Sequence, residues 1–158
     1  MDSKKEIIFQ LDKYLKLLFP ICRSITGKGN RKTLNILNEI TPINIFEIKS
    51  GKKVSDWKIP DEWEIKKAYI QDIKGNKVVD FSRNNLHVVS YSTSVNKFIY
   101  WNELEKHLFK HNSIAKAIPY RTTYYKKNWG FCVTHNQYNQ LKENSHKFKV
   151  VIDSSLKK

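Results

Sequence analysis

The hydrophobic period of this chain changes at Pro42. Before it, Ile7, Ile8, Leu11, Leu15, Leu18 and Phe19 fall on one stripe, and Leu34, Ile36, Leu37 and Ile40 on another. Recurrence at three and four residues predicts two amphipathic helices. Pro20 ends the first, and Thr41-Pro42 stops the second, because proline has no N–H for a helix interior. After Pro42 the chain reads as short strands. Ile43, Ile45, Phe46 and Ile48 suggest one, with Ser50-Gly51 as a turn. Others are expected at Val54 to Ile59, Trp63 to Ile73, Lys77 to Phe81 and Leu86 to Ser92, with Lys74-Gly75-Asn76 as a turn. A short helix near Asn102, capped with Glu105 as its box partner, follows. The C-terminal part holds a strand around Trp129 to Val133, a short helix from His135 to Leu141, and a final strand, Lys147 to Asp153. Two helices followed by mainly antiparallel short strands define an α+β class.

At 158 residues the chain holds one ordinary domain or parts of two. Its 40% hydrophobic content is enough for a core, which excludes a disordered protein. No apolar run approaches the roughly 20 residues of a membrane span. The N-terminal residues lack the unbroken apolar core of a secretory signal, because Asp12, Lys13 and Lys16 interrupt them. Cys22 and Cys132 read as reduced thiols, and a cytoplasmic location is expected. The net charge of +14 is almost all lysine, spread from Lys4 to Lys158 without a dense stripe. Arginine is the better residue for base edges and bidentate phosphate contacts, and Arg23, Arg31, Arg83 and Arg121 are the only ones here. Nucleic-acid binding is therefore set aside.

The loop Ile21 to Gly29 carries two glycines, but GKGN is not the phosphate-binding loop pattern. A turn with Asn30 as helix cap is the reading. The stretch Ile118 to Gln137 is the densest in chemistry: IPYRTTYYKKNWGFCVTHNQ. Gly130 is expected as a hinge, and Thr134 with Gln137 as a capping box. Polar aromatics suit a cleft wall or a domain seam. Arg121, Tyr124 and Trp129 are the candidate binding residues, since a guanidinium among aromatics can stack and still pair with a carboxylate or phosphate.

Other constellations read as structural. Cys132 and His135 form one C-x-x-H pair without the second pair a zinc knuckle needs. His107 and His111 lie four apart, but Leu108 stands where the zincin motif has glutamate. A cysteine hydrolase using Cys132 with His87 or His135 ranks low, because GFCV reads as a buried thiol. Asp56, Asp72, Asp80 and Asp153 read as solvated residues at strand ends.

Five segments occur in an ordered set: LFPICRSITGKGNRKTLNIL, SGKKVSDWKIPDEWEIKKAYI, NLHVVSYS, IPYRTTYYKKNWGFCVTHNQ and VVIDSSL. Together they resemble a bacterial family of aminopeptidase-like proteins, once described only as a domain of unknown function. Its members are often encoded among genes for surface polysaccharide biosynthesis. The resemblance implies a zinc aminopeptidase-like α/β body, a β-rich domain inserted near its start, and a winged-helix domain at the C-terminus. On that map residues 1–50 are helices and first strand of the body, 51–146 the insert, and 147–158 a strand returning to the peptidase sheet.

The family's metal ligands and general base lie downstream of VVIDSSL, so no catalytic or metal residue carries over to this chain. The resemblance implies zinc for the full-length family and no cofactor within these residues. It casts the chain as the N-terminal portion of a hydrolase, inactive alone. Its implied partner is the peptidase portion, in cis or as the other half of a split enzyme. The alternative is a module that binds a peptide or a glycan-linked small molecule.

Overall fold

The computed structural model describes residues 3–144 and 147–157. The chain divides into two compact units, one up to Glu62 and one from Trp63 to Lys157. The mixed α+β class holds, with the two long helices in the first unit and the larger sheet in the second.

In the first unit, α1 spans Ser3–Leu18 and α2 spans Lys28–Ile40. An ion pair between Lys16 and Asp12 (2.7 Å) and a Gln10 to Glu6 hydrogen bond (2.8 Å) support α1 one turn apart. The N-cap of α2 is Gly27 rather than Asn30. Gly27 has φ 122°, a conformation that favours glycine. Asn30 lies inside the first turn, and its amide donates to the carbonyls of Ser24 (2.8 Å) and Ile25 (2.9 Å), tying the loop back onto the helix. Gly29 meets a different demand. A Cβ there would fall 2.0 Å from the Cys22 carbonyl oxygen, so only glycine lets loop and helix approach this closely.

Among the described residues the expected strand at Ile43 to Ile48 has no partner strand, and the segment is exposed and without regular secondary structure. The expected strand at Val54 to Ile59 is instead a small hairpin. β1 (Lys53–Val54) and β2 (Trp57–Lys58) pair antiparallel, with Ser55 at φ 53° in the turn.

The second unit is built on a four-stranded sheet with order β4-β3-β8-β5. Its strands are β3 (Glu62–Gln71), β4 (Lys77–Asp80), β5 (Val95–Tyr100) and β8 (Lys147–Lys157). β3 and β4 pair antiparallel across the turn the sequence predicts. Gly75 there has φ 91°, and the Asp72 carboxylate accepts from the backbone N–H of Lys74 and Asn76, both at 2.8 Å. β5 and β8 pair antiparallel from Val95↔Ile152 to Tyr100↔Lys147. One face of the sheet supplies the core residues Ala68, Ile70, Val79, Ile99, Phe148, Val150 and Ile152. Helix α3 (Trp101–Leu104) lies against β5 and β8, and α4 (His135–Asn144) against β4, contributing buried Leu104 and Leu141. A parallel pair of two-residue strands, β6 (Leu108–Phe109) and β7 (Phe131–Cys132), completes the unit.

β8 lies between β3 and β5, paired with β5 over its first six residues, and the first compact unit ends at Glu62; neither tests the domain map that the resemblance implies. Two details depart from the sequence expectations. Leu86 to Ser92 is not a strand. His87 to Ser92 are all buried, and their backbone is satisfied by single bridges and loops, as in Val89 N–H to Gly130 O (3.0 Å) and Ser90 N–H to Arg121 O (2.9 Å). The helix near Asn102 starts at Trp101, with Tyr100 before it and no side-chain cap. The Thr134–Gln137 capping box is as expected: Gln137 N–H donates to Thr134 Oγ1 (3.2 Å), and Thr134 N–H donates to Gln137 Oε1 (3.0 Å).

Candidate functional site

The three candidate residues of the aromatic stretch go to different places. Trp129 is 9% exposed and stacks on His107, with ring centroids 3.6 Å apart and planes 13° apart. His107 Nδ1–H donates to the Trp129 carbonyl (2.9 Å), so stack and hydrogen bond hold one another. Tyr124 is half-buried and packs edge-on against Tyr91 (5.3 Å) and Tyr125 (4.7 Å). Tyr91 in turn stacks on Trp63 at 6.2 Å. Arg121 is exposed, and its guanidinium lies over the Phe109 ring at 5.7 Å. Gly130 is a point of close packing rather than a hinge. A Cβ there would fall 2.8 Å from Phe109 Cε2 and 2.9 Å from the His107 carbonyl.

The histidines are occupied by backbone. Buried His87 donates Nδ1–H to the Cys132 carbonyl (2.8 Å), since a carbonyl can only accept. Its Nε2 then accepts from the Gln137 amide at 3.4 Å, so Gln137 caps α4 and fixes the His87 tautomer together. Burial lowers the His87 pKa below its ordinary 6.5, with the Cys132 hydrogen bond and Asp80 opposing. His135 Nε2–H donates to the His111 carbonyl. His111 Nδ1 accepts from the N–H groups of Ser113 (3.2 Å) and Ile114 (3.0 Å). The fifth histidine, His146, lies outside the described residues.

The Cys132 thiol is fully buried, and desolvation pushes its pKa up to about 12. A nucleophilic cysteine needs the opposite shift. His87 also addresses the carbonyl of Cys132, not its sulfur. Among the described residues no group of three or more His, Cys, Asp or Glu could hold a metal ion. A hydrolytic zinc needs about three protein ligands and an open position. The described residues therefore do not offer the ligand set of a catalytic zinc.

An uncovered apolar surface lies in the first unit. Neither α1 nor α2 buries a single residue. Leu11 is 58% exposed and Leu15 68%, and Ile7, Ile8, Phe9 and Phe19 are likewise open to solvent. These are the stripes that a sequence reading assigns to a core. Beside α2 a hollow of about 650 Å³ is lined by Ile25, Leu34, Ile45, Phe46 and Ile48, with Arg31 and Glu62 at its polar side. Arg31 forks onto Glu62 through two hydrogen bonds of 2.5 and 2.8 Å. Among the described residues no helix is long and apolar enough to cross a membrane.

Residues 62–155, nearly the whole second unit, match the family described as "Domain of unknown function (DUF2172)". The chain belongs to that family. A relative from Clostridium acetobutylicum, named "Putative polysaccharide biosynthesis protein with aminopeptidase-like domain", is 52% identical over 139 residues of this DUF2172 chain. That match covers 88% of this chain and 32% of the relative. A crystal structure titled as a putative peptidase from Clostridium acetobutylicum superposes with a TM-score of 0.89 at 47% identity, covering 96% of this chain and 36% of that one. The chain thus spans about a third of the length of the relatives it matches.

Proposed function

We propose that this chain is the N-terminal part of a zinc-dependent aminopeptidase-like hydrolase and performs no hydrolytic step by itself. The observation that carries this reading is the exposed apolar surface of α1 and α2. Amphipathic helices of this length form in water chiefly because their apolar faces are covered. Contiguous exposed apolar area beyond a few hundred Å² marks an interaction surface. The relatives are about three times longer than the matched region, and their names point to a peptidase. A peptidase portion, in cis or as a separate chain, is the partner this surface suits. Zinc, where it acts, would be held by that portion, since the ligand set is not met among the described residues here. A cytoplasmic setting belongs to the same proposal, and buried thiols such as Cys132 are compatible with it.

The test mixes this chain with a polypeptide corresponding to the unmatched part of the Clostridium acetobutylicum relative. A complex is expected by size-exclusion chromatography, and Leu11→Lys with Leu15→Lys should abolish it. Zinc-dependent release of p-nitroaniline from aminoacyl p-nitroanilides is expected only with both parts present. Comparable turnover by this chain alone would overturn the reading.

A further inference from the structure

The run from Lys106 to Lys142 contains no aspartate or glutamate, while Lys110, Lys116, Arg121, Lys126 and Lys127 fall within it. The ion pairs among the described residues lie elsewhere, at Lys16–Asp12, Arg31–Glu62, Lys77–Asp80, Lys97–Glu103 and Lys157–Glu64. Arg121, Lys126 and Lys127 are all exposed, so this part of the surface is cationic without local compensation. Two rings stand among these charges. Tyr120 is 62% exposed and Tyr125 88%.

The backbone that carries them is fixed. Ser90 N–H donates to the Arg121 carbonyl and Thr123 N–H to the Ser90 carbonyl, both at 2.9 Å. Thr123 Oγ1–H donates to the Tyr91 carbonyl (3.0 Å), Tyr124 N–H to Thr122 Oγ1 (3.2 Å), and Lys126 N–H to the Thr123 carbonyl (3.0 Å). Ser90 and Tyr91, which receive the turn, are buried. Tyr124 joins it to the ring stack of Tyr91 and Trp63. A turn held in this way is ordered before it binds, and preorganisation lowers the entropy cost of association. Tyrosine and arginine are also the residue types enriched where binding energy concentrates in protein interfaces. A guanidinium over a ring, as Arg121 is over Phe109, still has its N–H edge for a carboxylate.

The charge calls for an acidic occupant. Single-stranded nucleic acid takes a positive groove that tracks its backbone past successive stacking rings, whereas these rings and cations sit on one turn. An anionic bilayer attracts clusters of about 4–8 basic residues, and the turn offers Arg121, Lys126 and Lys127. A patch of carboxylates on a folded protein matches a single turn in extent. The relatives carry such a partner's worth of chain: the matches cover 32% of one and 36% of the other, leaving about two thirds of each outside.

We propose that residues 120–127 dock on an acidic patch of the peptidase portion, with Arg121 forked onto a carboxylate, Lys126 and Lys127 beside it, and the rings of Tyr120 and Tyr125 covered. This contact belongs to the second unit and adds to the apolar helices of the first. It rests on the reading of the chain as part of a longer peptidase, and it names the chemistry of that partner's surface.

The experiment measures, by biolayer interferometry, the affinity of the full chain for the polypeptide corresponding to the unmatched part of the Clostridium acetobutylicum relative. Affinity is expected to fall as sodium chloride rises from about 50 to about 300 mM, because salt screens exposed charges. Arg121→Glu should weaken binding about tenfold or more, as should Tyr120→Ala with Tyr125→Ala, while melting curves stay unchanged. Lys74→Glu makes the same charge change at the β3–β4 turn and should leave affinity within about twofold. Absence of any complex overturns the peptidase reading and this contact with it. A complex that Leu11→Lys with Leu15→Lys abolishes, but that the turn variants leave intact, overturns this contact alone. So does equal weakening by Lys74→Glu, which makes net charge the cause. Binding of oligothymidylate or phosphatidylserine vesicles that Arg121→Glu removes, with the complex unaffected, overturns the contact and assigns the turn to that ligand.

Discussion

His87 Nδ1 stands 2.8 Å from the carbonyl oxygen of Cys132, and both residues are buried. The pair sets a pH dependence. Burial depresses the folded-state pKa of His87, so the folded protein prefers the neutral ring. Stability is fully present above the unfolded value of 6.5 and is lost as pH falls through the depressed folded value. Urea unfolding at about pH 7.5 and about pH 5.5 should show the wild type losing stability on acidification. His87→Gln should show a shallower loss, because that proton has been removed from the balance.

The Cys132 thiol should be silent. With its pKa at about 12, Cys132 carries almost no thiolate near neutrality. Iodoacetamide should leave it unmodified in the folded chain, as mapped by mass spectrometry, and alkylate it after denaturation. Rapid labelling of native Cys132 would contradict the burial.

Gly130 tests close packing. Alanine there would crowd Phe109 and the His107 carbonyl, and overpacking of this kind costs about 1–3 kcal/mol. Thermal unfolding of Gly130→Ala should fall accordingly. Removing the cap oxygen by Thr134→Ala should cost about 0.5–2 kcal/mol, seen in the same measurement.

The aromatic stretch should separate into a packing residue and a surface residue. Trp129→Ala should cost about 3–5 kcal/mol, because a buried indole leaves a large cavity. Arg121→Ala should stay within about 0.5 kcal/mol, because the side chain is exposed.

The two classes of leucine should differ as sharply. Leu141 is fully buried, and Leu141→Ala should cost about 2–5 kcal/mol. Leu15→Ala, at 68% exposure, should leave urea unfolding of the isolated chain within about 0.5 kcal/mol. A large loss at Leu15 would mean that α1 is already packed in this chain.

Much of this was legible from local rules. Helices α1 and α2, the Gly75 turn and the Thr134–Gln137 box follow from spacing and capping chemistry that neighbours along the chain decide. Pro42 marks the end of the helical part for the same reason. What was hidden depends on partners far away in sequence. LHVVSYS has strand composition, yet burial along His87 to Ser92 leaves it as a threaded core segment. VNKFIY gives no alternating strand signal because its apolar residues sit on both faces: Ile99 goes inward while Phe98 and Tyr100 go outward. The lysines looked dispersed because only the register of β5 and β8 brings Lys147 and Lys149 beside those rings. Periodicity gives α1 an apolar face, but it cannot reveal that no described residue of the first unit buries it.

The position of β8 has a kinetic consequence. It is the latest of the four sheet strands in the sequence, yet it lies in the interior of the sheet, between β3 and β5. During synthesis the β3–β4 hairpin can close early, while β5 waits with its pairing edge unmet. The sheet becomes whole only once residues near Ile152 have left the ribosome. Closure of such a long loop is slow compared with local hairpin formation. For that interval the nascent chain presents two unpaired strand edges, the kind of surface on which chaperones and aggregation compete.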